Sequence, residues 1–207
     1  MAQLVIEFDW MRDPKGYRLV KATRVVRNGK GRPSKGLEFC KPLSATDSLF
    51  RVFVHLATTP DGVLEFVQRY GPLTWDGWDE NNGDDVRLVI SNAEHMRQLL
   101  LYFSGNEKRP HLAASRYQAT QQALINAQVI WDPATMAPKW ELRPNTLLDA
   151  LWLQLGQALT RGGRISQCQH CGNWFEAGRN TGRRLDAKFC CDEHRTAFNS
   201  LKRSREK

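Results

Sequence analysis

The 207-residue sequence predicts an α+β protein, with a mixed helix and sheet domain over residues 1–160 and a small cysteine-rich module over 161–207. Three observations carry this. Extended stretches, alternating or β-branched, stand at 4–10, 17–27 and 129–142. Apolar residues recur at helical intervals over 49–70, 85–103 and 146–159. Four of the five cysteines crowd into the last forty residues. A chain of this length buries a sizeable core and leaves room for an appendage.

In chain order, residues 4–10 partly alternate apolar and polar side chains, as a strand with one covered face does. Asp13-Pro-Lys-Gly16 is a turn. Residues 17–27 form a further extended run with Arg18, Lys21, Arg24 and Arg27 spaced by three, and 28–36 is a loop by its glycine content. This basic stretch is either a sheet edge guarded by charge or a second phosphate contact. Thr46-Asp47-Ser48 caps a helix running through Leu56, and Thr59-Pro60 starts another that Gly71 ends. His55 on this stretch has no thiol or carboxylate partner at a recognisable spacing, so a surface or satisfied histidine is expected. Cys40 is read as a small buried apolar residue.

Residues 75–85 are acidic but lack the glycine and glutamate positions of a calcium loop, and they are predicted as a flexible loop. Helices are predicted over 85–103 and 113–128. A hairpin of 129–132 with 138–142 follows, its Trp131 and Trp140 covering a core, and then a helix over 146–159 capped by Asn145.

The module holds the sharpest signal. Cys168 and Cys171 are separated by two residues, Cys190 and His194 by three, and the pairs by eighteen. Two thiols at the first spacing turn onto one ion from a tight knuckle, and a thiol and imidazole at the second do so from the first turn of a helix. Three thiolates and an imidazole suit one Zn²⁺, and four protein ligands leave no position for a water, so the predicted site is structural. Gly172-Asn173 supplies the positive φ that such a knuckle needs. So short a module buries too little apolar surface to fold unaided, so Trp174, Phe175, Phe189 and the ion are predicted to share one core. His170, between two ligands, is expected to be exposed. Cys191 stays open as a substitute for Cys190, because spacing does not separate adjacent cysteines.

The formal charge is +8, and residues 161–207 carry eleven Lys or Arg against five Asp or Glu, a balance of +6. Basic side chains concentrated on a small metal-held module point to a polyanionic partner. Arg179, Arg183 and Arg184, between the ligand pairs, are candidate phosphate contacts. Arg195, Lys202 and Arg203 lie along a terminal helix predicted over 192–207, where a guanidinium such as that of Arg195 can also donate to guanine.

The run Arg164-Ile-Ser-Gln-Cys-Gln-His-Cys-Gly-Asn-Trp-Phe175, then Arg183-Arg184, then Phe189-Cys190 and a basic terminal helix resembles the C-terminal finger of the CGNR-type zinc finger family of bacterial transcription regulators. In that family the finger follows a domain of helices and sheet. Two departures stand. Cys-Gly-Asn falls here at the first ligand pair and is followed by Trp174, whereas the family places Cys-Gly-Asn-Arg at the second; and His194 occupies a position where cysteine is usual. A more distant treble-clef-like bacterial finger therefore stays open. The resemblance implies a treble-clef-like module with zinc held by Cys168, Cys171, Cys190 and His194, double-stranded DNA as partner, and transcriptional control. Two other readings stand beside it: docking of an acidic protein partner, and RNA binding through the aromatics near the basic loop.

No phosphate-binding Gly-x-x-x-x-Gly-Lys run, His-Glu-x-x-His pair, nucleophile elbow or zinc-deaminase signature occurs, so a non-enzymatic protein is expected. Residues 1–10 include Glu7 and Asp9 with no basic stretch before the apolar residues, unlike a secretory signal, and no apolar run has membrane-spanning length. A cytoplasmic chain with reduced thiols and no membrane partner follows as the expectation. Homodimerisation and a small-molecule effector of the first domain are left open.

Overall fold

The computed structural model describes residues 8, 10–29, 38–41, 49–74, 83–106, 125–132, 136–160, 164–178 and 181–205; side chains of 105–106, 125–132, 137–142 and 205 fall outside that description. The described chain is α+β, built from helices and small antiparallel sheets. It divides into two compact units, Met1–Glu94 with Gln122–Gln154, and His95–Gln121 with Leu155–Lys207. Among the described residues no helix is long and apolar enough to cross a membrane.

In the first unit, β1 (Trp10–Arg12) pairs antiparallel with β4 (Glu38–Cys40), whose Cys40 is half-buried opposite Trp10. A second sheet has the order β2 (Tyr17–Val20), β3 (Arg24–Arg27), β5 (Asp84–Asp85). The run 17–27, expected as one extended stretch, is thus two strands folded back on each other. Lys21 and Ala22 take φ 49° and 54°, and the Thr23 N–H donates to the Val20 carbonyl at 3.1 Å. Positive φ at both central residues is the turn that matches strand twist, and Gly or Asn normally marks it. Neither is present, so the sequence hid the turn. Below the hairpin a buried ion pair joins Arg27 Nε to Asp13 Oδ2 at 3.4 Å.

Helix α1 (Leu49–Phe53) is shorter than expected, and its expected caps at 46–48 lie outside the described residues. His55 beyond it is exposed. Helix α2 (Pro60–Tyr70) follows its local signals: the Thr59 side chain accepts from the Gly62 N–H, Pro60 occupies the first turn, and the Gly71 N–H donates to Val67 O. Gly71 takes φ +91°, and a Cβ there would lie 3.0 Å from the Met11 carbonyl oxygen and from the Trp10 ring. Trp10 is fixed there by a 2.7 Å bond from its indole N–H to the Pro72 carbonyl. Phe53 meets Phe66 edge-on at 5.3 Å, within a core that includes Leu49, Phe50, Val63, Val67 and Leu73.

Part of the acidic stretch departs from expectation. Residues 75–82 lie outside the described residues, but Asp84 is fully buried and Asp85 caps a helix. The Asp84 carboxylate accepts from the N–H groups of Leu73 and Thr74 and from the Thr74 hydroxyl, each at 2.7 Å. Burial pushes its pKa up to about 6, against the lowering pull of these donors. Asp85 Oδ1 accepts from the N–H groups of Arg87 and Leu88 at 2.8 and 3.1 Å, starting α3 (Val86–Leu101). A Cβ at Gly83 would collide with the Val25 carbonyl oxygen, so only glycine lets β5 enter beside β3. A five-residue π-helical turn, Tyr102–Asn106, follows α3.

β6 (Ile125–Asp132) and β7 (Ala137–Pro144) form an eight-rung antiparallel hairpin. Ile125 to Gln128 are therefore strand, where the sequence predicted the end of a helix; 113–124 lie outside the described residues. Rungs with Leu142, Arg143 and Pro144 outweigh the helix propensity of Ala127 and Gln128. The side chains of Trp131 and Trp140, expected over a core, are outside the description. Helix α4 (Leu147–Thr160) is capped by Thr146 rather than Asn145: the Asp149 N–H donates to Thr146 Oγ1 at 3.1 Å, and the Thr146 N–H to Asp149 Oδ2 at 3.1 Å.

Replacing Lys21 by Asn and Ala22 by Gly should stabilise the first unit by roughly 0.5–1 kcal/mol in denaturant unfolding, because both residues then adopt positive φ without strain. Asp84→Ala leaves buried N–H donors unpaired and should cost about 2–4 kcal/mol. The folded carboxyl titrates at about 6, above its ordinary 3.8, so the stability it contributes is full below about pH 4 and is lost as pH rises through about 6. The gap between wild type and Asp84→Ala should therefore be wider at pH 4.5 than at pH 7.5.

Candidate metal centre

The first ligand pair sits at the tip of a hairpin. β8 (Arg164–Gln167) and β9 (Trp174–Ala177) run antiparallel, with Gln167 opposite Trp174. The connecting knuckle is closed by Cys168 N–H to Asn173 O and Gly172 N–H to Cys168 O, both 2.9 Å, with Gly172 at φ +74°. The Arg164 guanidinium donates to the Ser104 carbonyl at 2.9 Å, tying the start of β8 to the π-helical turn.

Alternation along β9 sorts its aromatics. Phe175 and Ala177 cluster with Cys168, and Ala187, Phe189 and Cys190 pack against them. Trp174 is buried too, but outside that cluster, so of the aromatics expected to share a core with the ion only Phe175 and Phe189 do. The second ligand pair is carried to the knuckle by a backbone bond, Gln169 N–H to Lys188 O at 3.0 Å. Helix α5 (Asp192–Arg205) then begins, with Phe198 against Phe189 at 5.2 Å between ring centroids.

Cys168, Cys171, Cys190 and His194 meet there, with their ligand atoms all within 4.8 Å of one another. Cys171 Sγ and Cys190 Sγ are 3.8 Å apart, and Cys168 Sγ and His194 Nδ1 3.9 Å. Tetrahedral bonds of about 2.3 Å to sulfur and 2.1 Å to nitrogen set sulfurs about 3.8 Å apart and sulfur and nitrogen about 3.6 Å apart. The Cys190–His194 pair, at 2.9 Å, would part by about 0.7 Å to reach that spacing. The four residues can hold one metal ion, and all are free thiols or imidazole with no disulfide among the described cysteines. Of the adjacent cysteines it is Cys190 that joins the cluster. Cys191 instead accepts the Arg195 N–H at its carbonyl, 3.3 Å, and caps α5.

The local field treats the thiols differently. Burial opposes ionisation of Cys168, but the N–H groups of Cys171, Cys190 and His170 converge on its sulfur and hold its pKa down at about 6. Burial, and the sulfurs of Cys168 and Cys171 beside it, push Cys190 up to about 12. Cys168 is thus the more readily ionised of the two thiols, and a bound cation would favour loss of the remaining thiol protons. His170 is exposed, as expected, and its ring lies 4.8 Å from that of His194.

The basic candidates separate in the structure. Arg179 lies outside the described residues. Arg183 donates from Nε to the carbonyl of Cys190, a member of the candidate metal cluster, at 2.7 Å, with its guanidinium 5.9 Å from the Phe175 ring centre. Arg184 pairs with Asp186 at 3.1 Å and Arg195 with Asp192 at 3.1 Å, both on the exposed surface. Lys202 and Arg203 are exposed on the second half of α5. The bracing role of Arg183 had no sequence signal, because it depends on a carbonyl seven residues away that the fold brings within reach.

Arg183→Ala should weaken metal binding roughly tenfold in a cobalt(II) titration, since outer partners that orient ligands carry effects of that order. Arg184→Ala, whose partner is Asp186, should leave the titration unchanged.

No protein-family model, curated protein or solved structure matches the chain, so the likeness to CGNR-type fingers rests on the residues themselves.

Proposed function

We propose that the C-terminal module is a structural zinc finger that binds double-stranded DNA, and that the protein acts in transcriptional control. The observation that carries the reading is the convergence of three thiols and one imidazole on a single point at the base of an exposed helix. That donor set selects zinc among common cellular ions, and with four protein ligands the ion has a folding role. The partner is argued from charge: the module holds +6 of the chain's +8, and such a surface gains affinity by releasing counterions from a phosphate backbone. Arg184, Arg195, Lys202 and Arg203 supply that charge on exposed surface. The likeness to CGNR-type fingers supports the same partner. The first unit then serves to sense or to dimerise.

Protein purified without chelator should contain about one zinc per chain, and Cys168→Ser should lose it. The zinc-loaded chain should bind a mixed-sequence duplex with log K falling linearly against log salt, at a slope of about −3 to −4 for four phosphate contacts. Removing the metal should abolish the binding. An absence of duplex binding at low salt would overturn the nucleic-acid reading and leave the metal site standing.

A further inference from the structure

Helix α5 is unusual in how little of it is covered. His194, Ala197 and Phe198 are half-buried, while every described residue from Asn199 to Ser204 is exposed. One face carries Arg195, Thr196, Asn199, Ser200 and Arg203, at i, i+1, i+4, i+5 and i+8, and these five line a shallow groove of ≈ 290 Å³. The groove lining holds no acidic or apolar residue, and Asp192, one turn before it, pairs with Arg195 at 3.1 Å. Short hydrogen-bonding side chains occupy its centre, and an arginine stands at each end. Among the described residues neither the Thr196 hydroxyl nor the Asn199 amide has a hydrogen-bond partner, whereas Arg183 is engaged with the Cys190 carbonyl and Arg184 with Asp186.

That order of side chains matches what duplex DNA presents to a helix lying in its major groove. Residues 195–203 span about 12 Å of helix axis, close to the major-groove width of about 12 Å. A carboxamide can take the N7 acceptor and N6 donor of adenine together, and a threonine hydroxyl can serve either role at a base edge. Arginines at either end of such a face meet the phosphates that border the groove. We propose, building on the DNA reading above, that Thr196 and Asn199 read base edges in the major groove while Arg195 and Arg203 anchor the helix on the flanking phosphates. Specificity is then a property of this face. Asn199 is predicted to prefer adenine.

The test uses the full zinc-loaded chain and a library of randomised duplexes, from which tight binders are selected and sequenced. Metal content and helix signal of each variant are checked first; alanine is a better helix former than the residues it replaces, so folding is not at risk. Asn199→Ala should reduce the preference for the selected duplex over random duplex by about tenfold while changing random-duplex affinity by less than about twofold. It should also alter the enriched base at one position. Arg203→Ala should weaken both duplexes equally and lower the salt slope by about one. Enrichment that survives both Asn199→Ala and Thr196→Ala unchanged would overturn the assignment. So would salt-dependent binding with no enriched sequence, and in either case the DNA reading itself stands. Failure to bind any duplex at low salt overturns both.

Discussion

Four donor atoms from two segments, eighteen residues apart in sequence, must meet within one coordination sphere, and the C-terminal module is arranged to let them. Its apolar cluster is small: Phe175 and Ala177 beside Cys168, with Phe189 and Ala187 partly covered. A cluster of that size cannot order a hairpin, a loop and a helix by burial alone. The backbone does part of the work by aiming three N–H groups at Cys168, which lowers the pKa of that thiol and would help it bind a cation. The first unit has no such dependence, because its helices and sheets close over a core of Phe50, Phe53, Val63, Leu73 and Leu151.

Legibility followed the range of the interaction. The four ligands were readable because their geometry is set by spacing within a knuckle and a helical turn. Helix α2 was readable because Thr59, Pro60 and Gly71 act on their immediate neighbours. The turn at Lys21–Ala22 was not, since the sheet imposes a conformation for which the local residues have no preference. Asp84 looked like one more surface acid in an acidic run; the fold buries it because the N–H groups of Leu73 and Thr74 need an acceptor. Ile125 to Gln128 failed for the same reason, with strand pairing deciding against propensity. At Thr146 the alternatives were adjacent residues, and only the position of Asp149 in space chose between them.

Charge counts and charge roles also came apart. Counting arginines places the basic charge in residues 161–207, but a count treats every guanidinium as available. Arg183 is occupied with a carbonyl of the ligand segment, and Arg184 and Arg195 are each partly offset by a neighbouring carboxylate. Guanidinium is a planar donor that satisfies backbone oxygen as readily as phosphate, so its task is decided by what lies within reach.

His194 belongs both to the candidate metal cluster and to the first turn of α5, which fixes the rotational phase of everything beyond it. Each residue of an α-helix advances the side chain by about 100°. One residue inserted between His194 and Arg195 would leave all four donors in place and still swing Thr196, Asn199 and Arg203 by more than a quarter turn. The stretch from 194 to 203 should therefore accept exchanges of side chain in evolution while refusing changes of length, and a single-codon deletion there would be as disruptive to that face as loss of the face itself.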